Sequence, residues 1–174
     1  MNNEKVISVV VAVLIAILVF AALVWLNTTI TASISISQTE RDIFQDINQQ
    51  RNSYNLPTLG NDSDLTVTAI QWSQQLVAMN TLTHGNFDDR MQNIGLPNYQ
   101  YSCGEIIESF QSGSINGIPT TNSPSALANE FVNGWLNSPE HRAIMLTDSN
   151  GYMGVGLSRN DSTFYGVVDF KFAG

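Results

Sequence analysis

Hydrophobic positions along the chain form one long unbroken run, and shorter periodic stretches follow it. From Val6 to Leu26 there are 21 consecutive residues in which Ser8 is the only clearly polar one. At about 1.5 Å per residue, a helix of this length reaches roughly 31 Å, enough to cross the hydrocarbon core of a bilayer. The run therefore predicts a transmembrane helix over residues 6–26, within an anchor segment 1–26.

A cleaved signal peptide is the alternative to this anchor. Such a peptide has an apolar run of about 7–15 residues, followed by small residues at a cleavage site. Here the run is longer, and Thr31-Ala32-Ser33 is a poor cleavage site. A buried core helix is disfavoured because no face of the run carries polar residues. We expect an uncleaved anchor, with secretion after cleavage as the alternative.

The basic residues around the run indicate its orientation. Lys5 lies just before the run, and the next Lys or Arg is Arg41. Basic residues are enriched on the cytoplasmic side of a membrane helix, so we expect a cytoplasmic N-terminus and an extracellular C-terminal part. Residues 27–38, rich in Ser, Thr and Asn, predict a tether, with a short strand as the alternative. Residues 39–174 then form one domain.

Helical periodicity begins after the tether. Ser37 and Glu40 have the spacing of a capping box, which predicts a first helix that ends at Asn55-Leu56-Pro57 and carries Ile43, Ile47 and Tyr54 on one face. A second helix starts near Asp62 and carries an apolar stripe, which we expect to be core. The stripe consists of Leu65, Ala69, Trp72, Leu76 and Met79.

The second half of the domain mixes strands and helices. Cys103 to Phe110 predicts a strand, residues 111–123 have loop composition, and Pro124 opens a helix. Ser138-Pro139 ends that helix and starts another. Residues 152–158 and 163–172 predict a hairpin, since their connection is too short for a parallel crossover. The pattern favours an α+β fold with a mainly antiparallel sheet covered by helices.

The charge and the cysteine count narrow the classes of partner. The formal net charge is −8, and such a surface repels nucleic acid and anionic lipid head groups. We therefore expect no nucleic-acid partner. Cys103 is the only cysteine, so an intramolecular disulfide is excluded. Its thiol is then either buried, which we favour, or paired between chains.

The candidate chemistry centres on the only two histidines, His84 and His141. His141 projects from the first turn of the helix that Pro139 begins. His84 follows the second helix, in a loop or short helix that also holds Arg90. Glu105 lies on the predicted strand. Spacing alone gives little further support, because the chain has no HExxH, CxxC or GxSxG motif.

Seven pieces of the sequence arrive in an order that resembles a known family. They are QQRNSYNLPTL (49–59), LTVTAIQWSQQLVAM (65–79), His84, Asp89-Arg90, CGEI (103–106), GWLNSPEHRAIML (134–146) and GYMGVGL (151–157). The chain resembles the CAP superfamily of cysteine-rich secretory proteins, antigen 5 and pathogenesis-related proteins. It is most similar to the microbial SCP-like members, which lack the animal disulfides. The resemblance covers roughly residues 40–173.

The resemblance implies an α-β-α sandwich and a cleft in which two histidines meet acidic residues. His84 matches the first histidine, Glu105 the glutamate of the family's Gly-Glu-Asn, and His141 the second histidine. Two positions depart from the family pattern. Ile106 replaces the asparagine, and Ser138 stands where animal members often carry a second glutamate. The acidic side of the cleft is thereby reduced to Glu105.

These residues suggest two kinds of chemistry. Two neutral imidazoles and a carboxylate, with one position open, resemble a zinc environment, so His84, His141 and Glu105 are candidate ligands for zinc or another divalent cation. Without a metal, either histidine could work with Glu105 as a catalytic acid–base pair. Cys103 shares the strand face of Glu105 and could join the ligands, although a buried thiol is the simpler interpretation.

Three functions follow from these observations. Members of the family include sterol and lipid binders, toxins and extracellular interaction modules, so the first hypothesis is an anchored domain that binds a small-molecule, lipid or peptide ligand. The second is a metal-dependent or His/Glu-dependent hydrolase on the same scaffold. The third is a surface interaction domain with a vestigial cleft.

Overall fold

The computed structural model of the chain describes residues 11, 13–21, 35–96, 103–111, 114–115, 118–119, 123–161 and 163–173. It divides into two compact units, residues 1–34 and residues 35–174. In the first unit, residues 13–21 are helical and exposed. Among the described residues, no helix has both the length and the apolar character needed to span a bilayer. The rest of the predicted span 6–26, and the tether up to residue 34, lie outside the described residues.

The second unit contains helices and strands in mixed order. Its described helices are α1 (Ile36–Ser53), α2 (Ser63–Met79), α3 (Phe87–Asn93), α4 (Pro124–Asn137) and α5 (Pro139–Met145). Its described strands are β1 (Gly60–Asn61), β2 (Cys103–Gln111), β3 (Ser114–Ile115), β4 (Ile118–Pro119), β5 (Gly151–Asn160) and β6 (Thr163–Phe172). The predicted α+β class is confirmed.

Four of these strands form one mixed sheet in the order β1-β5-β6-β2. The β5–β6 hairpin and the β6–β2 pair are antiparallel, as predicted, whereas the short β1 runs parallel to β5. Strands β3 and β4 pair as a separate antiparallel hairpin inside residues 111–123, which the sequence predicted as loop. The composition of that segment, rich in Gly, Ser and Asn, does not distinguish a short hairpin from a loop.

Helices cover both faces of the sheet. On one face α2 lies so close to β5 that a Cβ at Gly156 would come within 2.2 Å of the Ala69 carbonyl carbon. Gly156 pairs with Val167, so Gly166 next to it on β6 faces the other way. There a Cβ would be 2.6 Å from the ring of Phe131 on α4. The sheet is therefore buried between α2 and α4.

The buried side chains follow from this layering, with two exceptions to the predicted stripes. Trp72 and Trp135 are core residues, as predicted. Met79, predicted in the α2 stripe, and Tyr54, predicted on the α1 face, are instead exposed. Both lie in or just after the last turn of their helix, so the periodicity continues beyond the part of the helix that is covered.

The start of α1 corrects the predicted capping box. Ser35, not Ser37, is the N-cap, and its Oγ accepts from the amide of Gln38 at 3.4 Å. Glu40 Oε1 instead accepts from the amide of Leu157 on β5 at 2.9 Å. Burial raises the pKa of Glu40, and this backbone bond opposes the rise. Helix α1 therefore begins at Ile36, so residues 36–38 of the predicted tether belong to the helix. Glu40 turns toward the sheet and not toward the N-terminal end of its own helix.

A buried arginine connects the end of α1 to the segment after α5. Arg51 has no exposed surface, and its guanidinium donates to four backbone carbonyls. The donor–acceptor distances are 2.8 Å to Pro57, 2.9 Å to Met145, 3.0 Å to Thr147 and 2.8 Å to Ser149. Burial lowers the pKa of Arg51. These bonds fix the C-terminal end of α5, the helix that carries His141.

Candidate functional site

His84 lies in the segment between α2 and α3, and two side chains hold that segment in place. Trp72 Nε1 donates to the carbonyl of Thr83 at 3.1 Å, and Arg90 Nη1 donates to the carbonyl of His84 at 2.9 Å. Gly85 has a positive φ of 49°, and a Cβ there would be 2.3 Å from Trp72 Cη2. Only glycine lets the backbone lie on the indole in this conformation. His84 is thereby held at a fixed position.

Glu105 on β2 receives two donors at its buried carboxylate. His84 Nδ1 is 2.7 Å from Oε1, and Arg90 Nη2 contacts Oε2. The Glu105 side chain is 2% exposed, whereas that of His84 is 53% exposed. A buried carboxylate is tolerated when a cation and hydrogen bonds compensate it, as Arg90 and His84 do here. Because Nδ1 of His84 bonds to Glu105, Nε2 is the ring nitrogen that can bind an external group.

Arg90 is held from two sides. Its guanidinium carbon lies 4.0 Å from the centroid of Trp72 and 5.7 Å from that of Phe87. Aromatic faces attract a guanidinium, so the stack orients Arg90 toward Glu105. In the structure Arg90 thus pairs with the carboxylate of Glu105.

His141 lies in the first turn of α5, as predicted. Its Nδ1 is buried and has no hydrogen-bond partner among the described residues. Burial lowers the pKa of His141, Glu108 opposes this effect, and charge on His84 reinforces it. The two imidazoles are therefore electrostatic neighbours, and His141 favours its neutral form.

Two further acids belong to this region and were missed by the sequence reasoning. Glu108 is half-buried on β2, three residues after Glu105, and its charge acts on His141. Asp169 on β6 is the cross-strand partner of Glu105 and has no exposed surface. Glu105 and Glu108 are three residues apart on one strand, so alternation places them on opposite faces of the sheet. The sequence alone was sufficient to predict this difference. Only the strand register brings Asp169 to Glu105.

A cavity of about 380 Å³ opens beside His84. It is lined by His84, Gly85, Asn86, Phe87, Asp88 and Asp89. The half-exposed imidazole therefore borders a space of the size that a small ligand or a peptide side chain would occupy.

The predicted three-residue metal site is not assembled. In the part of the chain that the structure describes, no group of three or more His, Cys, Asp or Glu side chains is placed to hold a metal ion. Glu105 is hydrogen-bonded to His84 and paired with Arg90, whose guanidinium balances the negative charge of the carboxylate. Cys103, half-buried at the start of β2, belongs to no such group either. Glu105 is thus better described as the partner that orients His84 than as a ligand.

Comparison with solved structures shows a shared fold. An outer surface protein of Borrelia burgdorferi superposes with a TM-score of 0.61 and 24% identity over 81% of this chain and 97% of that protein. An extracellular SCP-domain protein of Bacillus anthracis gives 0.55 and 26%, over 78% of this chain but only 40% of that one. NaASP2, solved with Zn2+, gives 0.55 and 13%, over 79% and 80%.

Comparison with sequence families gives the assignment. A search of curated proteins finds no significant match. The model of the cysteine-rich secretory protein family matches residues 44–170, which is most of the second unit. The matched segment begins in α1 and ends in β6, so it contains every residue of the site described above. The chain therefore belongs to the CAP family of cysteine-rich secretory proteins.

Proposed function

We propose that this protein is a membrane-anchored, extracytoplasmic CAP domain that binds a small-molecule, lipid or peptide ligand beside His84. The observation that carries the proposal is the bond of His84 to the buried Glu105, with the imidazole half-exposed at the wall of a cavity. A fixed polar group bordering a cavity gives a ligand both orientation and specificity. The acidic surface makes nucleic acid an unsuitable partner.

The proposed location rests on the sequence and on the printed names of two relatives. The run over residues 6–26 has the length and composition of a bilayer span, and Lys5 lies just before it, which favours a cytoplasmic N-terminus. Two proteins of the same fold are described as an outer surface protein and an extracellular protein. The domain would then be held outside the cell, close to the membrane.

Fractionation tests the anchor. Expressed in bacterial cells, the full chain is expected to stay in the membrane pellet after an alkaline carbonate wash. Protease added to spheroplasts is expected to digest the domain, because it faces outward. The matched control lacks residues 2–26 and should be soluble. Release of the full chain by carbonate, or retention of the truncated form, would contradict a transmembrane anchor.

For a divalent cation we propose His84 and His141 as the ligands, with Glu105 outside the ligand set. His84 has Nε2 directed away from its Glu105 bond, and Nδ1 of His141 is buried without a hydrogen-bond partner among the described residues. Glu105 would orient His84, as carboxylates commonly orient metal-binding histidines. When bound, a cation would polarise an oxygen atom of the ligand. Zinc in NaASP2 is a property of that relative, and here zinc serves as a probe.

An acid–base hydrolase is the second candidate, and one geometric observation favours it. The 2.7 Å bond between His84 Nδ1 and Glu105 fixes the imidazole in the way that a carboxylate fixes a general base. Turnover that disappears in Glu105→Gln would favour this function over binding alone. No described serine or threonine hydroxyl is hydrogen-bonded to the ring of His84 or to Nδ1 of His141, so ligand binding remains the first proposal.

Binding is tested by NMR of the histidine side chains in the full chain, held in detergent micelles. The probes are Zn2+, decan-1-ol and a neutral tetrapeptide, and the ring signals of His84 are expected to shift with at least one. In Glu105→Gln the affinity for that probe should fall about 10–100-fold, because His84 loses its orienting carboxylate. Glu130→Gln, the same change on an exposed acid of α4, is the control and should leave the affinity unchanged.

The outcomes separate the hypotheses. Zn2+ binding that weakens in both His84→Ala and His141→Ala supports a shared cation site. Shifts with decan-1-ol or the peptide, without Zn2+ binding, support a ligand site without metal. If no probe perturbs His84 in the wild-type chain, the proposed binding role is wrong, and the vestigial-cleft hypothesis is favoured.

A further inference from the structure

Asp169 is a buried acid that makes no direct ion pair with any described residue. It is 0% exposed, and neither of its carboxylate oxygens has a hydrogen-bond partner among the described residues. Ionised carboxylates are almost never buried in this state, because transfer of an unpaired charge out of water is very costly. Asp169 therefore either carries a proton or would be a severe defect in an otherwise well-packed sheet.

The neighbours of Asp169 are fixed by the strand register. On one side it pairs with Glu105 of β2, and on the other with Gly154 of β5. Gly154 offers no side chain, and α2 lies directly over it, since a Cβ there would be 2.1 Å from the Thr66 amide nitrogen. Glu105 is thus the acid that faces Asp169 across the strands, and Arg90 is the cation that acts on both carboxyl groups.

The local charge count favours one ionised acid. Arg90 supplies one positive charge, and Glu105 already binds it directly. Burial raises the pKa of Asp169 well above its usual range, and the negative charge of Glu105 raises it further, whereas Arg90 lowers it. When two carboxyl groups share one site, ionisation of one raises the pKa of the other, so the pair favours holding one proton.

We propose that Asp169 is a positioning residue of the His84 site, holding a proton against Glu105 so that the two carboxyl groups act as one unit with a single negative charge. The proton remains on Asp169, whose hydroxyl donates to the Glu105 carboxylate. Glu105 then accepts from three donors, which are Asp169, His84 and Arg90. A carboxylate has about four lone-pair sites, so this number of donors is compatible with its chemistry.

The pairing of Asp169 with Glu105 replaces two polar groups of the family pattern that this sequence lacks. Relative to the family pattern, Ser138 replaces a second acid, and Ile106 replaces the asparagine that follows Glu105. Asp169 restores a second carboxyl group and a further donor to Glu105, from a strand distant in sequence. The inference concerns the same site as the proposed function, but the pair exists in the ligand-free protein and can be tested without any ligand.

Infrared spectroscopy of the full chain in detergent tests the proton directly. At neutral pH the wild-type chain is expected to show the carbonyl stretch of a protonated carboxylic acid, and 13C-labelling of aspartate should shift that band. In Asp169→Asn the band should disappear, whereas in Glu130→Gln it should remain. Absence of the band in the wild-type chain, or its persistence in Asp169→Asn, would overturn the proposal.

The positioning role has its own readout, the Nδ1–H resonance of His84, which reports its bond to Glu105. Asn at position 169 still donates to Glu105, so Asp169→Asn should keep this resonance close to the wild-type position. Asp169→Leu has no donor, and the resonance should shift or exchange with water. If Asp169→Leu folds and leaves the resonance unchanged, Asp169 is only a packing residue. Failure of the probes to bind would affect the proposed function and not this result.

The pair also predicts a dependence of stability on pH. Because the pKa of Asp169 is higher in the folded state than in the unfolded state, the folded state binds this proton more tightly. The resulting contribution to the free energy of unfolding is complete below about pH 3.9 and is lost as the pH rises through the folded pKa. Asp169→Asn removes the titrating group. From pH 5 to pH 8, the Tm of Asp169→Asn is therefore expected to fall less than the Tm of the wild-type chain. An equal fall in both would contradict a proton held at Asp169.

Discussion

Replacement of Arg51 by methionine is expected to lower the free energy of unfolding by at least about 3 kcal/mol. The substitution removes the guanidinium donors of four backbone carbonyls, although the carbonyl of Thr147 keeps the amide of Ser149 as a second donor. Each buried polar group left unsatisfied costs about 1–3 kcal/mol, and entry of water would recover part of this cost. Methionine keeps much of the volume, so the effect reports lost hydrogen bonds and not a cavity.

Chemical denaturation followed by circular dichroism measures this loss. The control is Arg41→Met, which removes an exposed arginine from the same helix and should change stability by about 0.5 kcal/mol or less. Arg51→Lys should also be strongly destabilised, since an ammonium cannot reach carbonyls spread over three segments with the geometry of a guanidinium. A loss below about 1 kcal/mol in Arg51→Met would show that the carbonyls find other partners.

The second large effect is expected at Gly156. In Gly156→Ala the new methyl group would lie 2.2 Å from the carbonyl carbon of Ala69 and 2.3 Å from the amide nitrogen of Ile70. Overpacking typically costs about 1–3 kcal/mol when side chains can move, and here the obstacle is helix backbone. We expect a loss at the upper end of that range or beyond, because α2 must shift away from the sheet.

Gly134 provides the matched comparison. There a new Cβ would be 3.2 Å from Cζ of Phe110, a side-chain atom that can move slightly, and alanine favours the helix by up to about 1 kcal/mol. Gly134→Ala should therefore change the Tm little, whereas Gly156→Ala should lower it by many degrees. Similar melting curves for the two variants would mean that α2 does not lie on the sheet as described.

The sequence was sufficient for those parts of the fold that depend on local periodicity. The stripe from Leu65 to Leu76 predicted the buried face of α2, and Ser138-Pro139 predicted the break between α4 and α5. The short β1 and the β3–β4 hairpin were not predicted, because two-residue strands have no periodicity to detect. The capping box failed because Ser35 offers an equally good cap and Glu40 has a better partner in the sheet.

The candidate site shows a similar division. The family resemblance brought His84, Glu105 and His141 to attention, and the structure joins the first two by a hydrogen bond. Asp169 is buried because α2 covers its face of the sheet. No local sequence pattern predicts the register of β6 against β2 or the stacking of Arg90 on Trp72. Contacts between distant segments decide both.

The bond between His84 and Glu105 also limits what the cavity can accept. Because the carboxylate accepts, the hydrogen of a neutral imidazole resides on Nδ1, and Nε2 presents a lone pair to the solvent. A lone pair attracts hydroxyl, amide or ammonium groups and metal cations, and it repels carboxylate or phosphate oxygens. The acids Asp88 and Asp89 in the same wall have the same preference. The chemistry of this opening thus selects hydrogen-bond donors and cations over anions.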